Sequence, residues 1–167
     1  MDLGRKGRGM RLRSSSVGVV LVALTVGCAA QPGTVSRTLP ADLAEVTVLR
    51  TEIDAEAQTQ TVILQEKEAR RSLTIYIGLP EASAIQRSLD GETYPRPATH
   101  DLAANLTAAL GGELERAVIE RRENTFIATL VIKQGLSTRL VDARASDALA
   151  LALRTKSPVF VADALLH

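Results

Sequence analysis

At 167 residues with 46% apolar side chains the chain is long enough for one domain and its core, and with 2% aromatic residues and no Trp that core must be Leu, Val, Ile and Ala. The formal net charge of +1 mixes two regions: residues 1–27 hold five of the 20 basic residues and one of the 19 acidic ones, leaving 15 basic and 18 acidic in the remainder. A domain at net −3 is not the footprint of a tight, nonspecific polyanion binder, and so few aromatics argue against a stacking platform for single strands.

Arg5, Lys6, Arg8, Arg11 and Arg13 form a basic segment, Ser14 to Ser16 a polar spacer and Val17 to Gly27 a short apolar run, which is the layout of a secretory signal. The run is too short to span as a helix, for which about 20 apolar residues are needed. Its end, Leu24-Thr25-Val26-Gly27-Cys28, resembles the bacterial lipobox, whose cysteine is lipidated and becomes the first mature residue. Thr25 stands where Leu is usual, and an ordinary signal cut after Ala30 is the alternative. The expected organisation is a lipoprotein-type leader over 1–27, a flexible tether over 28–40 and one domain over 41–167, anchored by lipid at the outer face of the cell membrane. Cys28 is the only cysteine, so the domain has neither a disulfide nor a thiolate site.

Within the domain, weak alternation over Glu45 to Leu49, the run Gln58 to Gln65 and the β-branched alternation Ser72 to Ile77 predict three strands in an antiparallel meander. Pro80 to Asp90 reads as a helix with Pro80 in its first turn and Gly91 beyond its end. Pro95 and Pro97 make Thr93 to Ala98 a stiff extended arm. The helix that follows, from Thr99-His100-Asp101 to Leu110, has Leu102, Leu106 and Leu110 as its apolar face and stops at Gly111-Gly112. Three more strands are expected over Leu114 to Glu120, Phe126 to Lys133 and Thr138 to Ala143, separated by turns at Glu123-Asn124 and Gln134-Gly135. A helix from about Ser146 to Thr155 is Ala and Leu on every face and must be buried, with Ser146 as its N-cap. A short strand Pro158 to Val161 and a helical stub Ala162 to Leu166 close the chain. This order predicts an α+β domain of two antiparallel three-strand groups with packed helices.

The chemistry concentrates at two helix starts, Arg96 to Asp101 and Asp142 to Asp147. His167 is terminal, so any functional histidine is His100. His100 with Asp101 reads as a general base or metal ligand, or as an imidazole and its orienting carboxylate; equally, Thr99 caps the helix, Asp101 answers its dipole and His100 packs locally. Neighbouring side chains at a helix start diverge, so a partner for His100 is expected from another element. Asp142 and Asp147, across a strand-to-helix turn, converge on one divalent cation or serve as an ion-pair partner and a first-turn carboxylate. Arg96 and Arg144 have the forked geometry for phosphate, or form ordinary ion pairs. Glu81 reads as a first-turn dipole partner. There is no Gly-rich phosphate loop, no zinc-protease histidine pair and no Gly-x-Ser-x-Gly.

At these residues the chain resembles the bifunctional nuclease domain family, also called domain of unknown function 151. The resemblance runs from Ile75 to Leu166 through Tyr76-Ile77-Gly78, Glu81-Ala82-x-Ala84-Ile85, Pro95-Arg96-Pro97-x-Thr99-His100-Asp101-Leu102, the strands around Phe126 to Ile132, and Val141-Asp142-Ala143-Arg144-x-Ser146-Asp147-Ala148 to Pro158-Val159-Phe160-Val161. It implies a compact α+β domain, often a homo-oligomer, and a nuclease acting on DNA and RNA with little sequence preference. On that reading His100 and Asp101 are catalytic, Asp142 and Asp147 hold a divalent cation (Mg²⁺ or Mn²⁺), and Arg96 and Arg144 bind the substrate phosphate. The alternative is a non-catalytic envelope module that binds a small anion or a protein partner.

Overall fold

The structure, a computed structural model, describes Met1 and residues 38–54, 56, 59–68 and 70–167. The expected leader, the lipidation of Cys28 and most of the tether lie outside the described residues. In chain order the elements are β1 (Leu43–Asp54), β2 (Thr59–Glu66), β3 (Ser72–Ile77), α1 (Leu79–Leu89), α2 (Thr99–Ala109), β4 (Glu113–Arg122), β5 (Thr125–Gln134), β6 (Ser137–Arg144), α3 (Ala145–Thr155), β7 (Val159–Ala162) and a 3-10 turn, Asp163–Leu165. The α+β class is as expected, but the two strand groups are halves of one sheet. Its order is β3-β2-β1-β7-β4-β5-β6, with β7 antiparallel to β1 and parallel to β4. Four residues of β7 thereby satisfy the backbone groups of two edges that would otherwise be open.

Alternation along the strands sends one set of side chains to the helices. Val46, Val48, Val62, Leu64, Leu73, Ile75, Ala117, Ile119, Ala128, Leu130, Val159 and Val161 form one cluster with Ile85 of α1 and Ala148 to Ala152 of α3. A register shift between Val48 and Arg50 lets β1 run on past its inward-facing valines, so β1 is longer than its weak alternation suggests. At the centre of the cluster α3 buries seven of its eleven residues, and Leu149 is wholly enclosed. Such a side chain contributes about 1.5–3 kcal/mol by leaving water.

The sequence reading of α2 is reversed. Leu102, Leu106 and Leu110 are 51%, 54% and 73% exposed, and Ala103 and Ala104 face the core instead. Small residues let α2 lie close against α3, which the leucines would hold away. The helix stops as expected, with Gly111 at φ +73° where a side chain would be strained. At the C-terminal stub a 3-10 turn replaces the predicted helix, and Arg71 reaches both Glu66 (2.8 Å) and Asp163 (2.7 Å) to tie it to the β2–β3 connection.

Candidate functional site

Three helix starts meet at one place, and each is made by an extended residue followed by a turn that needs few donors. Gly78 (φ −77°, ψ 162°) precedes α1, whose Leu79-Pro80 opening tolerates proline because no intrahelical N–H is required there. Ala98 (φ −75°, ψ 175°) ends the proline arm and precedes α2, and its N–H donates to Asp101 Oδ2 at 3.0 Å. Arg144 (φ −69°, ψ 149°) ends β6 and precedes α3. The caps expected at Thr99 and Ser146 do not form. Thr99 is the first residue of α2, and Ser146 lies inside the first turn of α3, 8% exposed.

From these starts four side chains converge. His100 Nε2 is 3.3 Å from Asp147 Oδ1. Arg144 donates to the same carboxylate in a fork, Nε to Oδ2 at 2.8 Å and Nη2 to Oδ1 at 3.2 Å. Its Nη1 is 3.0 Å from Glu81 Oε1. The Arg144 hydrogen bond, with a further contribution from His100, holds the Asp147 carboxyl below the usual carboxylate range despite partial burial, and Asp147 with Glu81 raises the Arg144 guanidinium. The site thus favours the charged form of Asp147.

These groups line an open recess of about 310 Å³ with Pro80, Ala84, Arg87, Ala98 and Thr99. The first turns of all three helices contribute to its wall, so three positive helix ends face one volume. Arg87 adds a second cation; its Nε is buried with no hydrogen-bond partner among the described residues, and its guanidinium lies 5.3 Å from the Tyr94 ring centroid. The recess thus holds two guanidinium groups and two carboxylates, and an oxyanion entering it would share Arg144 with both carboxylates.

The other sequence candidates lie elsewhere. Asp101 is 3.3 Å from Arg154 Nε, and Arg154 also donates from Nη1 to the Glu92 carbonyl at 2.8 Å. That arginine, 12% exposed, pins the proline arm and the start of α2 to α3. Asp101 is thus engaged in positioning the helix that carries His100. Arg96 is exposed on the arm, and Asp142 lies on β6 opposite Thr129; neither lines the recess. Glu81 and Arg87 are the residues the sequence reading did not assign to the site. Their signal was present, since a first-turn carboxylate and a last-turn arginine of a helix starting at Gly-Leu-Pro are ordinary until a second helix start is placed beside them.

Among the described residues no three His, Cys, Asp or Glu side chains are close enough to hold a metal ion. The donor set at the recess therefore does not fit a cation held by three protein ligands. What the arrangement offers is a carboxylate-oriented imidazole beside a forked cation.

Residues 62–167 match the family model described as Bifunctional nuclease domain. Two proteins of Mycobacterium tuberculosis, from strains CDC 1551 / Oshkosh and ATCC 25618 / H37Rv and both described as uncharacterized, are each 37% identical to this chain over 125 residues, which is 74% of this chain and 74% of theirs. The family match includes every residue of the recess.

Proposed function

The chain belongs to the bifunctional nuclease domain family, and from that premise we propose that it hydrolyses phosphodiester bonds of DNA and RNA at the recess between the starts of α1, α2 and α3. The observation that carries the proposal is the convergence of His100, from the start of α2, with Asp147 and Arg144, from the start of α3, on one volume walled by three helix starts. In this reading Arg144 turns part of its fork from Asp147 and Glu81 to the two non-bridging oxygens of the phosphate, with Arg87 and the helix ends adding positive potential. Asp147 accepts the Nε2–H of His100, which leaves the lone pair on Nδ1 to take the proton of the attacking water. The water oxygen bonds to phosphorus, the leaving oxygen departs with a proton returned to it, and the developing charge on the phosphoryl oxygens is balanced by Arg144.

The test is cleavage of single- and double-stranded DNA and RNA by the purified chain with Mg²⁺, Mn²⁺ or chelator, beside a folded His100→Ala variant. Cleavage that His100→Ala loses supports the proposal. Cleavage equal in both, or in neither, contradicts it. The chelator arm decides whether a divalent cation takes part. A second reading, a non-catalytic envelope module binding a small anion or a protein partner, is favoured by the pairing of Arg144 with two carboxylates in the resting site, and absence of cleavage in every condition selects it. The lipid anchor is proposed on the Cys28 motif: Cys28→Ala would move the protein from the membrane to the soluble fraction.

A further inference from the structure

The chain has only four aromatic side chains, two Tyr and two Phe, and three of them stand around the site just described. Tyr76 and Phe126 line a second recess of about 380 Å³, which shares Glu81 and Arg144 with the first and adds Asn124 from the β4–β5 turn and Thr125 at the start of β5. Tyr94 is the ring beneath Arg87. Tyr76 is 63% exposed on β3, pointing away from the core to which its neighbours Ile75 and Leu73 belong. Its cross-strand partner on β2 is Thr61, which is 6% exposed, so the ring has one side toward the sheet and the other open. The Arg144–Glu81 ion pair is the partition between the two recesses, so a phosphate held by Arg144 has an aromatic-walled volume directly on its far side.

We propose that this second recess is a nucleobase subsite: an unpaired base of the substrate lies against Tyr76 and Phe126 while its adjoining phosphate engages Arg144. The inference rests on the nuclease reading above and adds the recognition of the base. Aromatic faces accept any base, because every base presents a π-face, which matches a binder with little sequence preference. The Asn124 amide can donate to or accept from the base edge. Phe126 packs against the core cluster and the Arg121 guanidinium lies over its ring, 6.0 Å from the centroid, so Phe126 meets the base with its edge and Tyr76 supplies the open face. Four aromatics are too few for an extended platform, but one subsite beside the phosphate takes two. A base inside a duplex has both faces covered, so the subsite favours single strands or a base turned out of the helix.

The chain is suited to a direct test, because it has no Trp and its two tyrosines are Tyr76 and Tyr94. In a Tyr94→Phe variant all tyrosine emission comes from Tyr76. Adenosine 5′-monophosphate and ribose 5-phosphate carry the same phosphate and differ by the base. Binding of each is measured by calorimetry and by tyrosine emission, for Tyr94→Phe, for wild type and for Tyr76→Leu and Tyr76→Phe. The expected result is quenching of Tyr76 by the nucleotide alone, and affinity for the nucleotide about 5- to 150-fold above that for ribose phosphate. Tyr76→Leu would lower that ratio most of the way to one, and Tyr76→Phe would keep it. Equal affinity for the two ligands, unchanged by Tyr76→Leu, in a protein that cleaves nucleic acid overturns the subsite and leaves the nuclease reading standing. Absence of both binding and cleavage overturns the two together. Because Tyr76 is on the exposed face of β3, both substitutions leave the fold intact, which melting confirms.

Discussion

Replacing Asp147 by Asn separates what its charge does for the site from what it does for the fold. The carboxylate takes a fork from Arg144 at 2.8 and 3.2 Å and faces His100 Nε2 at 3.3 Å. Its side chain is 37% exposed and its Arg144 partner 67% exposed. Pairs so open to water contribute under about 1 kcal/mol each, so melting temperature should fall by no more than about 5 °C. Chemistry should respond far more. The amide keeps one acceptor oxygen but has no charge to balance an imidazolium, and its NH₂ presents a donor to a donor on one side. A positioned base that loses its orienting anion should lower kcat by about 10²-fold or more. Arg144, still held by Glu81 at 3.0 Å, remains available to phosphate, so KM should stay level or fall. Because the Arg144 contact depresses the Asp147 carboxyl below the usual range, the difference between variant and wild type should persist down to pH 5. The measurement is steady-state cleavage of a labelled single strand from pH 5 to 8, with melting followed on the same samples. An unchanged kcat with a raised KM would mean that Asp147 only tethers Arg144, and would refute the assignment of an orienting role.

The reversed face of α2 predicts that Leu106→Gln changes stability by less than about 0.5 kcal/mol, whereas Leu149→Ala, fully enclosed in α3, costs about 2–5 kcal/mol; chemical denaturation of both would expose an error in the packing if Leu106→Gln were the more damaging. Glu66, Asp163 and Asp147 all have lowered carboxyls, the first two through Arg71 and the third chiefly through Arg144. Depressed carboxylates stabilise the fold above their unfolded values, near 4, and lose that contribution as pH falls through the folded ones. The melting temperature should therefore drop on acidification below about pH 4.5, and drop less in Arg71→Met; equal acid sensitivity in the two proteins would contradict the clamp. A methyl group at Gly78 would run into the Glu81 carboxylate, so Gly78→Ala should displace Glu81 from Arg144 and alter KM with little change in melting temperature. An unaltered KM would show that Glu81 does not restrain Arg144.

What could be read without coordinates was local. Alternation or a short apolar run marked each strand, and the turn expected at Glu123-Asn124 joins Arg122 to Thr125, while the second falls at Gly135-Leu136, one residue beyond the expected Gln134-Gly135, because Gln134 pairs with Ser137. The union of the two meanders was not legible, because Val159–Ala162 reads as any short buried strand and nothing in it names β1 and β4 as neighbours. The face of α2 misled because three leucines at i+4 steps look like a core stripe, while the contact is made by alanines that carry little hydrophobic signal but permit close approach. At the site, His100 and Asp147 stand 47 positions apart, and only the packing of α2 on α3 brings them together. Glu81 and Arg87 needed the third helix. The aromatic content, read as a total, argued against stacking; read by position, three of four rings gather at one edge of the domain.

The central claim is that phosphodiester cleavage takes place at the recess shared by His100, Asp147 and Arg144. Its most direct test is single-turnover cleavage of labelled single-stranded RNA and DNA by wild type and by a His100→Ala/Arg144→Ala double variant, purified side by side and matched by circular dichroism and melting. The account predicts cleavage by the wild type that falls as salt rises and none above background in the double variant. Equal cleavage by the two folded proteins would place the chemistry elsewhere and contradict the account.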